Sequence, residues 1–331
     1  MTFLQPGLLL VLFLILWAEY VNGWTDAPNA IATVVSTRAL SPRQAVLMAA
    51  VFNLLGTLSG TAVASTISKG IVDPKAVDLV TVGGAMVGLI LWSTLAARWG
   101  LPTSESHALV AGLAGAGFAT AGPSVLLWAG WQKVLLGLFF STFLGFGVGL
   151  LVMIAIYWGF RRQAPGKVRG LFRVLQIMSS AFMAFGHGSN DGQKFMGAFT
   201  LALVISGVLP TFDIPLWVIL LCGGVMALGT ATGGWKIIRT MGMRMTKLEP
   251  HQGFAAEIGA AATIEFASRF GIPLSTTHTI STAIMGVGSC RRASAVRWGV
   301  TGEIVTAWIL TFPVCFGVAW GVVKVVRLFA G

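Results

Sequence analysis

Long apolar runs punctuated by short polar breaks dominate the chain, near residues 7–20, 44–67, 79–97, 105–120, 134–159, 174–205, 216–233, 253–268, 278–288 and 298–323. Each is about the length that crosses, or dips into, a hydrocarbon layer roughly 30 Å thick. In lipid, backbone polar groups must be satisfied internally. The pattern therefore predicts an all-α integral membrane protein of about ten transmembrane or re-entrant helical segments. No Lys or Arg precedes the first run and no small-residue cleavage pattern follows it, so it reads as a span and not as a signal peptide. Directly after it, "NGWTDAPNAIAT" (Asn22 to Thr33) sets Asn, Thr, Asp, Pro and a second Asn where lipid offers them no water.

Composition sharpens this picture. Of 331 residues, 56% are hydrophobic and 10% charged, with a mean hydropathy of +0.84, far from a soluble domain. The net charge of +11 raises nucleic acid as a partner, and the placement of the charges removes it. They fill short connections: Arg38 and Arg43; Arg161, Arg162, Lys167, Arg169 and Arg173; Lys236, Arg239, Arg244 and Lys247; Arg291, Arg292 and Arg297. The positive-inside rule makes these four connections cytoplasmic and puts both termini outside, leaving Lys69, Lys75, Lys133, Lys324 and Arg327 on the other face. Cys222, Cys290 and Cys315 have no metal or disulfide spacing.

Two motifs occur twice in the same order. "NGWTDAPN" (Asn22 to Asn29) aligns with "HGSNDGQK" (His187 to Lys194), pairing Asp26 with Asp191. "RWGLPTSESH" (Arg98 to His107) aligns with "RFGIPLSTTH" (Arg269 to His278). The offsets are 165 and 171 residues, so the chain is a duplication: a first repeat over 1–160, a basic cytoplasmic linker over 161–173 and a second repeat over 174–331. With Arg38 and Arg161 on one side, Asp26 and Asp191 are carried across in opposite directions. That is the inverted-repeat, broken-helix organisation of alternating-access transporters.

The acidic residues Glu19, Asp26, Glu105, Asp191, Glu257, Glu265 and Glu303 fall within predicted spans, against Lys194, Arg98 and Arg269. An ionised carboxylate at mid-membrane costs about 2.5–3.5 kcal/mol, which protons, metal cations or water must relieve. Asp26 lies between Gly23 and Pro28, residues expected to interrupt a helix and free carbonyls, with Asn29 one turn on. Carboxylate, amide oxygen and loose carbonyls suit a hard cation; a satisfied polar kink is the plainer reading, and the repeat favours the cation. Lys194 replaces Asn29 in the second copy, as a tethered ammonium would replace a bound ion.

In "PTSESH" and "PLSTTH", Thr103, Ser104 and Ser106, and Ser275, Thr276 and Thr277, follow a Pro at the start of an apolar helical run. Helix N-termini with hydroxyl donors make an anion cradle, although Ser and Thr also serve as ordinary N-caps. His107 and His278 close the two motifs and are expected to orient the cradle or to titrate. His187 and Asp191, one turn apart, make at most half a metal site.

These residues resemble the inorganic phosphate transporter family called PiT, bacterial type. "NGWTDAPNAIATVVSTRALSPR" resembles its first broken-helix signature and "AFGHGSNDGQKFMGAFTLAL" the second. The resemblance implies a non-enzymatic secondary transporter of the bacterial inner membrane, often a homodimer. It would import phosphate by symport with Na⁺ or H⁺ and need no other cofactor. It places Asp26, Asn29 and Asp191 at the coupling cation, a metal site if that cation is Na⁺. Ser104, Ser106, Ser275, Thr276, Thr277 and Gln193 fall at phosphate, with Asn190, His107, His278 and Lys194 in support. Lys194 departs from the Asn of some relatives. Glu105 stands among the cradle hydroxyls, where its charge would repel phosphate unless protonated, turned away or cation-bound; it is the candidate proton- or cation-linked residue. A sulfate permease of the same fold, a passive anion channel and a metal-dependent hydrolase built on His187 and Asp191 are the alternatives.

Overall fold

Pro6 opens the first helix at the position where a missing N–H costs nothing, and α1 runs over Pro6–Ser36. In this computed structural model, which describes residues 5–330, helices follow one another to the C-terminus. They are α2 (Pro42–Thr57), α3 (Ala62–Gly70), α4 (Leu79–Trp99), α5 (Glu105–Ala121), α6 (Trp128–Phe160), α7 (Pro165–His187), α8 (Gln193–Ile205), α9 (Leu216–Thr232), α10 (Trp235–Arg239), α11 (Pro250–Arg269), α12 (Thr276–Ser289) and α13 (Trp298–Ala330). The β pairing among the described residues is limited to one isolated bridge, Val72 to Leu126.

Five stretches are long and apolar enough to cross a bilayer: α1, α4, α6, α7 with α8, and α13. Two bent pairs bring the number to seven, α2 with α3 (73°) and α9 with α10 (61°). The short α5 and α12 have 17 and 14 residues. At 1.5 Å per residue, α12 covers only about 21 Å, less than the hydrocarbon thickness.

Three expectations are corrected. The first copy is not a broken helix: α1 continues through Pro28. Proline there withholds one N–H from the Trp24 carbonyl, and the Gly233–Gly234 break between α9 and α10 packs against that site. A Cβ on Gly234 would lie 2.8 Å from the Trp24 oxygen. In the second copy the helix is remodelled, not severed, by a π-helical turn over Gly188–Gly192. Two of the basic connections are largely helical, since Lys167, Arg169 and Arg173 lie in α7 and Lys236 to Arg244 in α10 and the turn after it. Finally, Glu303 is exposed and faces Arg244, and Glu265 is partly exposed beside Arg269. The carboxylates buried in the bundle are Glu19, Asp26, Glu105, Asp191 and Glu257.

The apolar side chains form two cores, and the site lies where they meet. One gathers Ile15 and Ala18 of α1 with α4, α5 and α8. The other gathers Ala30 to Val34 of α1 with α7, α11 and α12. Both α1 and the α7–α8 pair pass from one core to the other, and their polar motifs fall at the crossing. The outer surface is apolar instead: Phe13, Phe143, Leu151 and Ile309 are each at least 60% exposed, as a lipid-facing side chain should be. Trp128 and Trp158 mark the two ends of α6, about 45 Å apart along the axis, matching the full bilayer with its interfaces.

Glycine allows the closest crossing at the site. Gly188 packs on the Asn53 carbonyl of α2, and Gly56 of α2 packs on the Phe185 carbonyl of α7; a Cβ at either would overlap those oxygens. Gly188→Ala is expected to cost about 1–3 kcal/mol through overpacking, read as a lowered melting temperature in detergent. An unchanged melt would mean that α2 and α7 separate freely.

Candidate ion and anion site

Asp26 and Asp191 come together from opposite halves of the sequence, joined by adjacent hydroxyls at the start of α12. Thr277 Oγ1 donates to Asp26 Oδ1 at 3.1 Å and Thr276 Oγ1 to Asp191 Oδ2 at 2.7 Å. The Asn29 amide donates to both hydroxyl oxygens, at 3.2 Å to Thr276 and 3.0 Å to Thr277. His187 Nε2 lies 3.3 Å from Asp191 Oδ2 and 3.9 Å from Asp26 Oδ2, while its Nδ1 meets Asn53 Oδ1 at 3.2 Å. Asn53 in turn donates to Thr230 at 2.9 Å, fixing the ring.

The two carboxylates differ in how they are compensated. Lys194 Nζ spends its donors on Asp191 Oδ1, on Ser106 Oγ and, at 2.8 Å, on the Leu274 carbonyl. Ser106 also donates to that carbonyl, at 2.6 Å. An ammonium has three hydrogens, so Lys194 is saturated. Asp26 has no such ammonium. Its Oδ2, Asn29 Oδ1 and His187 Nε2 are buried without hydrogen-bond partners. Asp26, His187 and Asp191 each offer a ligand atom within 4.8 Å of the others, a spacing that one cation held by oxygen and imidazole would close.

The starts of α5 and α12 converge on the same place. Ser104 and Ser275 act as N-caps, accepting from His107 N at 3.3 Å and His278 N at 3.1 Å, which is the ordinary capping role for these two hydroxyls. Ser106, Thr276 and Thr277 face the Asp and Lys side chains. The amides of the first helical turns have no acceptor within their own helices, so two positive dipole ends point at this layer. Behind them the His107 and His278 rings meet edge to face at 4.7 Å, and His278 stacks on Trp308 at 3.7 Å. Those contacts set the approach of the two helices.

Glu105 is turned away from this cluster. Its Oε1 accepts from Thr25 at 2.9 Å and its Oε2 from Ser93 at 2.5 Å. Gln193 is also elsewhere: it accepts from Val63 N at 2.9 Å and donates to the Ser189 carbonyl at 2.6 Å, tying α8 to the start of α3. Asn190 donates to Ser268 at 2.8 Å and to the Ile272 carbonyl at 3.3 Å, bracing the loop before α12. Sequence reasoning missed Thr25, Asn53, Ser93 and Thr230. Asn53, a lone amide in "AAVFNLLGT", carried the available signal. A further buried carboxylate, Glu257, is held by Thr33, Ser179 and Gln176, echoing Glu105, which Thr25 holds about two turns earlier on α1.

A layer of buried carboxylates, amides and hydroxyls inside an apolar helical bundle defines a multi-pass membrane transport protein. The chain belongs to the phosphate transporter family, whose pattern matches residues 22–319. It is therefore a transporter and not an enzyme. It is 46% identical to a protein of Rhizobium meliloti (strain 1021) over 93% of both chains. It is 38% identical to one of Bacillus subtilis (strain 168) over 92% of this chain and 93% of that one. Both relatives carry the description "probable low-affinity inorganic phosphate transporter". Among solved structures it is similar to "The sodium-dependent phosphate transporter", with a TM-score of 0.91 and 26% identity over 98% of this chain and 100% of that one.

Proposed function

We propose that the protein is a low-affinity phosphate importer that couples phosphate to an inward-moving cation by alternating access. The observation that carries this reading is the unequal pair of carboxylates. Asp191 is neutralised by Lys194 from within the chain, whereas Asp26 keeps an unpartnered oxygen beside the unpartnered Asn29 Oδ1, with the His187 Nε2 nitrogen 3.9 Å away. The one imidazole facing Asp26, that of His187, lies closer to Asp191 (3.3 Å against 3.9 Å) and is shared with it; a buried carboxylate without a full counter-charge of its own is unfavourable, so Asp26 recruits a cation when the transporter loads. Phosphate then sits between the N-termini of α5 and α12, on Ser106, Thr276 and Thr277 with the first-turn amides. Lys194 and the bound cation offset its charge. Every one of these side chains is at most 3% exposed, so either face opens only when a loop moves.

Two inverted repeats, 1–160 and 174–331 about the 161–173 linker, underlie this mechanism. The element order supports it: a long span, a bent pair, a helix, a short helix opened by a capping Ser, and a 33-residue helix occur twice. The last members are exchanged, α5 packing on α13 and α12 on α6. Such exchange lets one half rock against the other around a fixed site.

The coupling ion is Na⁺ at Asp26 or a proton at Glu105. Thr25 Oγ1 lies 2.8 Å from the Val21 carbonyl and 2.9 Å from Glu105. One hydroxyl hydrogen cannot serve both acceptors; a proton on Glu105, donated to Thr25, would satisfy all three groups. Radiolabelled phosphate uptake into proteoliposomes under imposed inward Na⁺ or H⁺ gradients, with excess sulfate in parallel, tests the whole reading. Accumulation that survives sulfate supports it, and loss to sulfate moves the substrate to a broader oxyanion class. Glu105→Gln preserves the hydrogen bonds with its amide. It is expected to abolish any response of uptake to a pH gradient, and a normal response would remove Glu105 from coupling.

A further inference from the structure

Two basic depressions, one at each end of the bundle, stand across thin loops from the buried site. The first, about 450 Å³, is lined by Ser65 and Thr66 of α3, Lys133 of α6, and Arg269 and Gly271. The second, about 480 Å³, is lined by Gly100 after α4, Lys236 and Arg239 of α10, and Arg244. They occupy matching positions in the two repeats. Each lies at the foot of an Arg-x-Gly-x-Pro-x-Ser loop, beside the second member of a bent helix pair. Gly100 (φ 72°) and Gly271 (φ 64°) both take the left-handed backbone that turns the chain there.

The ends are opposite. The first depression joins the N-terminal end of α6 to the C-terminal end of α11. At the other end of α6, Phe160 and Arg161 lie with Glu249 and His251 at the beginning of α11. Arg291 stacks over Tyr157 there, and Met245, next to the second depression, accepts from Arg297 N at 2.9 Å. The 33 residues of α6 separate the two by about 50 Å.

We propose that these depressions are docking sites for free phosphate at the two mouths of the transport path, a reading that rests on the proposed phosphate transport. Three observations carry it. Lys133 and Arg269 lie at the end away from the Arg161 and Arg291 clusters, so orientation in the membrane does not explain them. The cations retain capacity for an anion: Lys133 Nζ meets the Thr66 hydroxyl at 3.4 Å and Lys236 Nζ the Arg98 carbonyl at 2.8 Å. The carboxylates near the pair, Glu265 on Arg269 and Glu303 on Arg244, each engage one guanidinium edge, at 3.3 Å and 3.9 Å. Third, the floor of the first depression is the roof of the buried site. Thr66 donates to the Gly271 carbonyl at 2.8 Å, and three residues on, the Leu274 carbonyl holds Lys194 and Ser106 from beneath. A phosphate on Lys133 and Arg269 waits across this single loop from Lys194. Positive charge in a cleft raises the local concentration of an anionic substrate, which a low-affinity carrier needs at its mouth.

Lys133→Gln with Arg269→Gln tests the first mouth. The KM for phosphate is expected to rise about five- to tenfold and its dependence on ionic strength to flatten, with the loss falling on KM more than on kcat. A lipid phosphate could use the same cations, so uptake is measured in vesicles with and without phosphatidylglycerol. A KM shift present in both supports free phosphate, and one that appears only with the anionic lipid overturns the proposal in favour of a lipid site. A readout independent of transport is labelling of a Ser65→Cys protein by a membrane-impermeant maleimide. Millimolar phosphate should slow it about threefold or more, and not in the Lys133→Gln background. Labelling indifferent to phosphate overturns the docking site even if transport proceeds normally. Protection without transport by the unmutated protein would leave the docking site and remove the transport reading.

Discussion

Asp26→Asn protein folds, reaches the membrane and fails to accumulate phosphate, with gradient-driven uptake lowered about a hundredfold or more. An amide has nearly the shape of a carboxylate and can still accept from Thr277, so the 3.1 Å contact survives. What disappears is the negative charge beside the unpartnered Asn29 and His187 atoms. A hard cation binds an amide oxygen far less well than a carboxylate, and each tenfold loss of affinity is about 1.4 kcal/mol. The measurement is uptake into proteoliposomes under an inward cation gradient, with a melting curve to show that the fold is intact. Uptake within a few-fold of the unmutated protein would take Asp26 out of coupling. The corresponding Asp191→Asn change differs in kind, because it would strand the Lys194 ammonium among hydroxyls and a carbonyl.

Lys194→Asn is the second large effect, and its sign depends on the ions present. Lys194 is 1% exposed and bonded to Asp191, Ser106 and the Leu274 carbonyl. Removing one member of a buried ion pair costs about 3–5 kcal/mol, so in a choline buffer the melting temperature should fall steeply. Asparagine also restores at position 194 the residue found at Asn29 in the first copy. The vacated space then offers Asp191, Thr276 and the new amide to a second cation, and Na⁺ should recover much of the lost stability by binding the folded state alone. Coupling changes with it: one more cation per phosphate, read as a shifted reversal potential for uptake. A melt insensitive to Na⁺, or an unaltered stoichiometry, would show that Lys194 is a structural tie and not a built-in counter-ion.

Much of the site was legible because duplication repeats chemistry at fixed offsets. Asp26, Asn29, Asp191, Lys194, Ser106, Thr276 and Thr277 were all named by their repeated motifs, and they meet in one cluster. Gln193, placed at phosphate by the family resemblance, lies elsewhere, because the π turn at Gly188–Gly192 rotates it toward Val63. One extra residue in a helical turn moves side chains around the axis, and sequence spacing does not reveal it. Ser104 and Ser275 cap their helices, a role indistinguishable in sequence from anion binding. The direction of Glu105 was likewise open, because Thr25 and Ser93, which hold it, are ordinary residues of apolar helices.

Local composition determined that the chain crosses a membrane, where its helices lie and which polar residues need a reason to be there, since each is a property of a short stretch in lipid. Tertiary structure decided how completely each need is met. Lys194 meets Asp191 locally, three residues away, but its ammonium reaches Ser106 and the Leu274 carbonyl, and so is saturated, only once α5, α8 and the loop before α12 have packed together. It also decided that Pro28 bends nothing open, since the glycine break after α9 covers the carbonyl that proline releases. Hydrogen-bond satisfaction in a dry interior depends on partners 80 to 251 residues away, and no local pattern encodes their distance.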